Sequence, residues 1–544
     1  MTPQDETVAA VPPPEHWWQG AVVYQIYVRS FADSDGDGIG DLEGIRSRLD
    51  HLTETLGVDA IWITPFFPSP MRDFGYDVAD YCDVDPLFGD LARFDSLLSD
   101  CHQRGLRVMI DWVPNHTSDL HPWFVESRSS RDNPKRDWYV WRDPADDGSP
   151  PNNWLAMFGG SSWEWDERTR QYYLHSFLPE QPDLDWRNPE VESAMLDSLR
   201  FWLDRGVDGV RIDVAHYLMK DPGLTDNPPA EGPTDYRPLG EPDSQIHIND
   251  RGHPDIHSLF RRIRGVLDSY PDDRFAIAEI HESDWETWAS YYQPPSLDSI
   301  HMPFNFSLLY APWDAEELRQ SIEAAEAAVP EGAWPNHVLG NHDEARVASR
   351  FGERRAGLAA ILLLTLRGTV TMYYGDEIGM PETAIPPGEI RDPQGIRLGT
   401  PTRDGCRTPM QWSDQPHAGF SPPEAPGTWL PLSTDWKQRN VDSQLDDPGS
   451  LLQLYHRLLA ARRSPSLRRG AFRSLPAPPG CLVYERSAPG SAAVVVALNL
   501  GGDVTAIDLP AGTVLVATDP GAEGKPVSGP IELAGNEGVV IELT

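Results

Sequence analysis

Short apolar runs recur along this chain, and stretches with helically spaced apolar positions separate most of them. Ala21–Val28 (AVVYQIYV) reads as a buried strand. The helical pattern of Leu42–Leu56 leads into a strand at Asp59–Ile63, and that of Leu91–Arg104 into Leu106–Ile110. The amphipathic Val191–Asp204 precedes Gly209–Asp213, and Ile256–Leu267 precedes Phe275–Ile280. Ser299–Phe304, Asn336–Leu339 and Val370–Tyr374 continue the series. Repeated strand–helix units predict a parallel sheet, and eight of them predict an α/β fold closed as a (β/α)8 TIM barrel.

Three connections are too long for ordinary loops. Residues 112–188 are rich in Trp, Asp, Asn and Gly and read as an inserted subdomain after strand three. Residues 215–254 and 379–431, full of Pro, Gly and Asp, read as loops over a site at the C-terminal ends of the strands. After the helical Leu451–Arg463 the texture changes to short apolar strands, such as Ala492–Leu498 and Val514–Ala517, between Gly/Pro turns. The predicted organisation is a tail at 1–16, a barrel at 17–111 and 189–465, the insert at 112–188, and a C-terminal antiparallel β-sandwich at 466–544.

Three acids fall at predicted strand ends: Asp213 in Gly-Val-Arg-Ile-Asp, Glu279 in Ala-Ile-Ala-Glu-Ile-His and Asp343 in Gly-Asn-His-Asp. Alternate strand residues share a face, so Arg211 and Asp213 point the same way and Ile212 the other. A neighbouring guanidinium keeps Asp213 ionised, as a nucleophile must be, whereas the apolar strand bearing Glu279 is expected to raise its pKa, as a proton donor needs. A nucleophile and an acid about 5 Å apart carry out double displacement with retention. Separately, Asp33-Ser-Asp35-Gly-Asp37-Gly-Ile39-Gly-Asp41 offers oxygens at every second position, a spacing suited to a hard cation. It is not an EF-hand, because Gly44 stands where the bidentate Glu would be.

Four ordered motifs, Asp111-Trp-Val-Pro-Asn-His116, Gly209–Asp213, Ala278-Glu279 and Asn341-His342-Asp343, resemble those of the α-amylase superfamily of glycoside hydrolases, in its α-glucosidase and oligo-1,6-glucosidase branch. The resemblance runs from about Trp17 to the C-terminus. It implies that Asp213 is the nucleophile, Glu279 the general acid/base and Asp343 the transition-state stabiliser. It further implies that Arg211 keeps Asp213 charged, that His116 and His342 bind glucosyl hydroxyls, and that Asp111 supports the pocket base. The branch signature resembles Asp73-Phe-Gly-Tyr76-Asp77, with Arg407 in Cys-Arg-Thr-Pro-Met-Gln-Trp. Asp73 and Arg407 would then clamp the 4- and 6-hydroxyls of a terminal glucose, with Tyr76 as the stacking face. Phe158 and Phe177 would surround that glucose or form the core of the insert. The family's acidic loop binds structural Ca2+, which implies Asp33, Asp35, Asp37, the Ile39 carbonyl and Asp41 as ligands; no organic cofactor is implied.

The implied activity is an exo-acting retaining α-glucosidase on short oligosaccharides such as maltose, isomaltose, malto-oligosaccharides or sucrose. Gln181-Pro-Asp-Leu-Asp185 departs from the branch's QPDLN, and Val214 follows the nucleophile as in α-1,6-preferring relatives. Since one apolar contact discriminates by only about 1–3 kcal/mol, the linkage stays open between α-1,4 and α-1,6. His216 and Tyr217 either line the aglycone side or begin the next helix. The alternatives are a sucrose isomerase or transglucosylase and, more remotely, a non-catalytic transporter-associated barrel.

Charge and composition narrow the partners. A formal charge of −39, from 45 basic and 84 acidic residues, repels nucleic acid and anionic membranes. The four cysteines, Cys82, Cys101, Cys406 and Cys481, form no Cys-x-x-Cys pair. The first twenty residues lack an apolar core segment, and no apolar run approaches a membrane span. The expectation is a cytoplasmic monomer or homodimer.

Overall fold

The computed structural model describes residues 16–232 and 240–544. The expected tail therefore lies outside the described residues, apart from His16, as do residues 233–239 of the 215–254 loop. Among the described residues, no helix is long and apolar enough to cross a membrane.

Strands β1 (Val22–Ile26), β2 (Ala60–Ile63) and β3 (Arg107–Trp112) open the barrel. A small antiparallel sheet follows, of β4 (Trp141–Arg142), β5 (Trp163–Asp166) and β6 (Gln171–Leu174), inside the segment read as an insert. The barrel resumes with β7 (Gly209–Ile212), β8 (Phe275–Ala278), β9 (Met302–Pro303), β10 (Asn336–Val338) and β11 (Thr369–Tyr373). The eight barrel strands pair in parallel in the order β10-β11-β1-β2-β3-β7-β8-β9. No ladder joins β9 to β10. Instead the Asn336 amide donates to the Pro303 carbonyl at 2.6 Å and accepts from the Asn305 N–H at 2.9 Å. An asparagine side chain thus closes the cylinder.

The apolar runs become strands because both of their faces are covered: every residue of β1, β2, β7 and β8 is buried. Helices between them start where side chains cap them. Asp90 accepts the Arg93 N–H ahead of Leu91–Gln103, and Asn188 accepts the Glu190 N–H ahead of Pro189–Arg205. Gly209 in β7 is obligatory, since a Cβ there would lie 2.8 Å from the Phe275 carbonyl oxygen on β8.

Three expectations need correction. Leu42–Leu56 is not one helix: Leu42–Ser47 is α-helical, and His51–Leu56 is a wider π-type turn in which Leu52 O accepts the Gly57 N–H. Strand six shrinks to two residues, Met302 and Pro303, beyond which the Phe304 N–H still reaches Ala278 O on β8. The C-terminal region is one six-stranded antiparallel sheet rather than two stacked sheets. Its strands are β12 (Ala471–Leu475), β13 (Cys481–Ser487), β14 (Val494–Asn499), β15 (Thr505–Ala517), β16 (Pro526–Leu533) and β17 (Gly538–Leu543). The long β15 pairs with both β16 and β17 and shifts register in each ladder, which bends the sheet. One face, with Tyr484 and Val540, joins the main core; the other encloses its own, around Val495, Ile507 and Ile541.

Candidate active site

Strand register assembles the centre of the site. Asp111 on β3 lies opposite Arg211 on β7. Arg211 and Asp213 share a face while Ile212 is buried in the core, as alternation requires. One Arg211 terminal nitrogen contacts Asp213 Oδ1 at 2.5 Å and Asp111 Oδ1 at 2.7 Å; the other reaches Glu279 Oε2 at 2.6 Å. Asp213 and Glu279 each lie one residue beyond their strands, but their N–H groups continue the ladders to Trp112 O and Ile212 O. Their backbones are therefore fixed. Asp111 is fully buried and also accepts from Trp62 Nε1 and Tyr76 Oη, both at 3.1 Å, so it lies at the base of the site. Val214 has φ +34°, a strained conformation for a β-branched residue, and its N–H donates to Glu279 Oε2 at 2.8 Å.

Around Arg211 the shift of Glu279 runs opposite to the expected direction. Burial lifts the Asp213 carboxyl well above the usual carboxylate range; Arg211 opposes this, and the charges of Glu279 and Asp111 add to it. Burial also favours neutral Glu279, but Arg211 and the His281 hydrogen bond outweigh it and hold the carboxyl down to about 2. The reason is geometric: β7 and β8 are neighbours, so Arg211 serves both acids. Three carboxylates share one guanidinium, so they titrate as a coupled group.

The closed end of the pocket also differs in its pairing. Asp343 lies five residues beyond β10, in a loop, where Arg403 (2.9 Å) and Arg407 (2.8 Å) both hold its Oδ1. Asp73 pairs with Arg403 at 3.1 Å, not with Arg407 as expected. Arg407 is fully buried behind the wall and bonds the His342 carbonyl at 2.7 Å. The 3-10 turn Arg403–Arg407 puts the first arginine on the pocket wall and the second behind it, against Asp343. The sequence signal for Arg403 is a second arginine four residues before Arg407. Asp392 anchors Arg403 at 2.7 Å.

The remaining expected residues converge. Tyr76 stacks on His342 (ring centres 5.4 Å apart) and bonds its Nε2 at 2.7 Å, while Gln25 holds the other ring nitrogen at 2.7 Å. Burial keeps His116 near 4 and His342 near 3, so both rings are neutral hydrogen-bonding groups. Gln181 spans His116 (3.1 Å) and Asp73 (3.3 Å), which gives the Gln181–Asp185 motif a place in the site. Phe158 and Phe177 line the pocket and also pack with Met157 and Leu178. His216 and Tyr217 lie in a 3-10 turn and line it too. Arg251, His281, Tyr310 and Glu344 complete the outer wall. No motif marks these residues, because distant loops bring them together.

In the acidic loop, Asp33, Asp35 and Asp37 bring carboxylate oxygens within 4.8 Å of one another. Asp41 does not join them as expected: its oxygens accept from Ser34 and from Gly44 N–H, which caps the helix Leu42–Ser47. Ile39 contributes an N–H to Asp37 Oδ1 at 2.8 Å.

Carboxylates on neighbouring strand ends of a parallel barrel, in a pocket closed by arginine–aspartate pairs, define a class of barrel enzyme that handles polyhydroxylated substrates. Residues 25–470 match the alpha-amylase catalytic domain, and the chain belongs to the alpha-amylase family of glycoside hydrolases. It is 44% identical over 533 residues to a probable alpha-glucosidase of Rhizobium meliloti (strain 1021), with 94% of each chain covered. The alpha-glucosyl transfer enzyme XgtA superposes with a TM-score of 0.91 at 42% identity, over 98% of this chain and 100% of that one. The trehalulose synthase MutB of Pseudomonas mesoacidophila MX-45 gives 0.88 at 32% identity, over 98% and 100%.

Proposed function

We propose that this protein is an exo-acting retaining α-glucosidase that removes terminal non-reducing glucose from short oligosaccharides. One observation carries the reading: Asp213 and Glu279 sit on the two terminal nitrogens of one guanidinium, in a pocket whose far end is closed by Arg403, Asp73 and Asp343. Such spacing suits the roughly 5–5.5 Å of a double displacement. The closed end accepts one hexose, with Asp73 and Arg403 on its 4- and 6-hydroxyls and Asp343 on its 2- and 3-hydroxyls. Tyr76, His116 and His342 surround the ring. Substrate excludes water from the acids, and Glu279 takes up the proton it donates. Asp213 then attacks C1 as Glu279 protonates the leaving oxygen; water, deprotonated by Glu279, releases glucose.

Transfer to another sugar is the second reading. The outer wall of Phe158, Phe177 and Tyr217 offers an aromatic acceptor side, and the two structural relatives above are named for transfer and isomerisation. Time-resolved products from maltose, isomaltose and sucrose separate the two: glucose throughout supports hydrolysis, and early new oligosaccharides support transfer. Asp213→Asn should abolish turnover with the fold intact; appreciable residual activity would remove the nucleophile assignment. Asp33, Asp35 and Asp37 fit a hard cation, and like charge already pushes Asp37 up alongside burial. A bound Ca2+ would brace the first strand–helix connection. Chelation should then lower the melting temperature, and an unchanged melt would refute the site.

A further inference from the structure

Glu279 has two unlike oxygens. Oε2 already accepts two donors, the Arg211 guanidinium at 2.6 Å and the Val214 N–H at 2.8 Å. Oε1 faces His281 Nε2 at 3.2 Å. A carboxyl oxygen engaged by a cation and a fixed backbone N–H has no place for a proton of its own. The transferable proton therefore belongs on Oε1.

His281 is placed there by the chain and held there by packing. Alternation buries Ile280 and returns His281 to the Glu279 side. Its ring stacks on Phe306 (4.7 Å, 21°), which stacks on Phe304 (5.3 Å, 17°). Its side chain keeps 24% of its surface exposed, while Glu279 keeps 7%, so the imidazole lies between the acid and solvent. Among the titratable groups that face it are Glu279, at 3.2 Å, and His216, with ring centres 6.0 Å apart.

We propose that His281 is a positioning residue for the acid/base: its ring N–H donates to Glu279 Oε1 and fixes the carboxyl so that the working proton on that oxygen is aimed at the leaving oxygen. When the C1–O bond breaks, the Oε1 proton goes to the departing oxygen. The resulting carboxylate accepts the His281 N–H until Oε1 takes a proton from the water that attacks C1.

The inference rests on Glu279 being the general acid, and the test separates the two claims. The full chain is assayed as wild type, Glu279→Gln, His281→Ala and His281→Gln on maltose, whose leaving group needs a proton, and on 4-nitrophenyl α-D-glucoside, whose leaving group does not. Glu279→Gln must lose bond cleavage selectively on maltose; if it does not, the acid assignment fails. His281→Ala should lose kcat/KM about tenfold or more on maltose but under about threefold on the aryl glucoside, a fraction of the 10²–10⁴ carried by the acid itself. His281→Gln, which keeps a hydrogen-bonding group, should recover part of the loss. Equal losses on both substrates, or no loss on maltose, while Glu279→Gln remains selective, would overturn the role of His281 alone.

Discussion

Arg403 holds three carboxylates at once, on Asp73, Asp343 and Asp392, and it is almost fully buried. The contact with Asp392 holds that acid far below the usual range despite burial. Removing the guanidinium leaves buried charges without a partner, which costs about 3–5 kcal/mol for a broken pair. Arg403→Ala should therefore lower the melting temperature and raise KM for maltose well over tenfold, whereas Arg407→Ala should act mainly on stability, because it lies behind the wall. Equal effects of the two on KM would contradict the pocket geometry. At this scale the sequence disclosed which residue types do chemistry, since Arg211 and Asp213 two apart on a strand can only share a face. It did not disclose which arginine of the 403–407 turn meets Asp73, because a tight turn sends side chains in directions that spacing alone does not fix.

At the scale of elements, the seam between β9 and β10 concentrates the risk. No ladder joins these two strands, and the Asn336 side chain supplies the hydrogen bonds between them. Asn336→Ala leaves a buried N–H and a buried carbonyl unpaired, at about 1–3 kcal/mol each. Urea unfolding should show that loss, with Asn336→Asp intermediate because it keeps the acceptor; wild-type stability for the alanine variant would mean the seam is closed by other contacts. Long capped helices such as Pro189–Arg205 were legible because their period, Asn188 cap and Gly206 stop agree. The break after Ser47 was not, because the apolar period runs on through a turn that only packing distorts. Likewise alternation in the C-terminal region identifies strands, but whether six strands stack or curl depends on the bulges in β15.

Over the whole molecule, buried titratable groups set the response to pH. Burial lowers His116 and His175 to about 4, and His121, His337 and His342 to about 3. Between about pH 6.5 and these values, the unfolded chain binds protons that the folded chain refuses, so these rings favour folding above about 6.5 and lose that advantage as pH falls. Asp73 and Asp111, raised to about 6, Asp376, raised to about 7, and Asp213, raised well above the carboxylate range, act oppositely, but the strongly lowered rings, which include His216 and His301, outnumber these strongly raised acids. The melting temperature should fall as pH drops from about 6.5 toward 4; a flat profile there would show that the rings do take up protons in the folded state.

The sequence by itself determined the barrel, the order of its strands, the acids Asp111, Asp213, Glu279 and Asp343, and the aromatic and acidic loops. Those follow from local periodicity and from residue chemistry, which the chain carries wherever it folds. The tertiary structure alone decided that Arg211 serves three acids, that Arg403 rather than Arg407 meets Asp73, and that Asn336 closes the cylinder. Each of these depends on distances between segments far apart in the chain. Packing sets such distances, and burial then sets what the charges there cost.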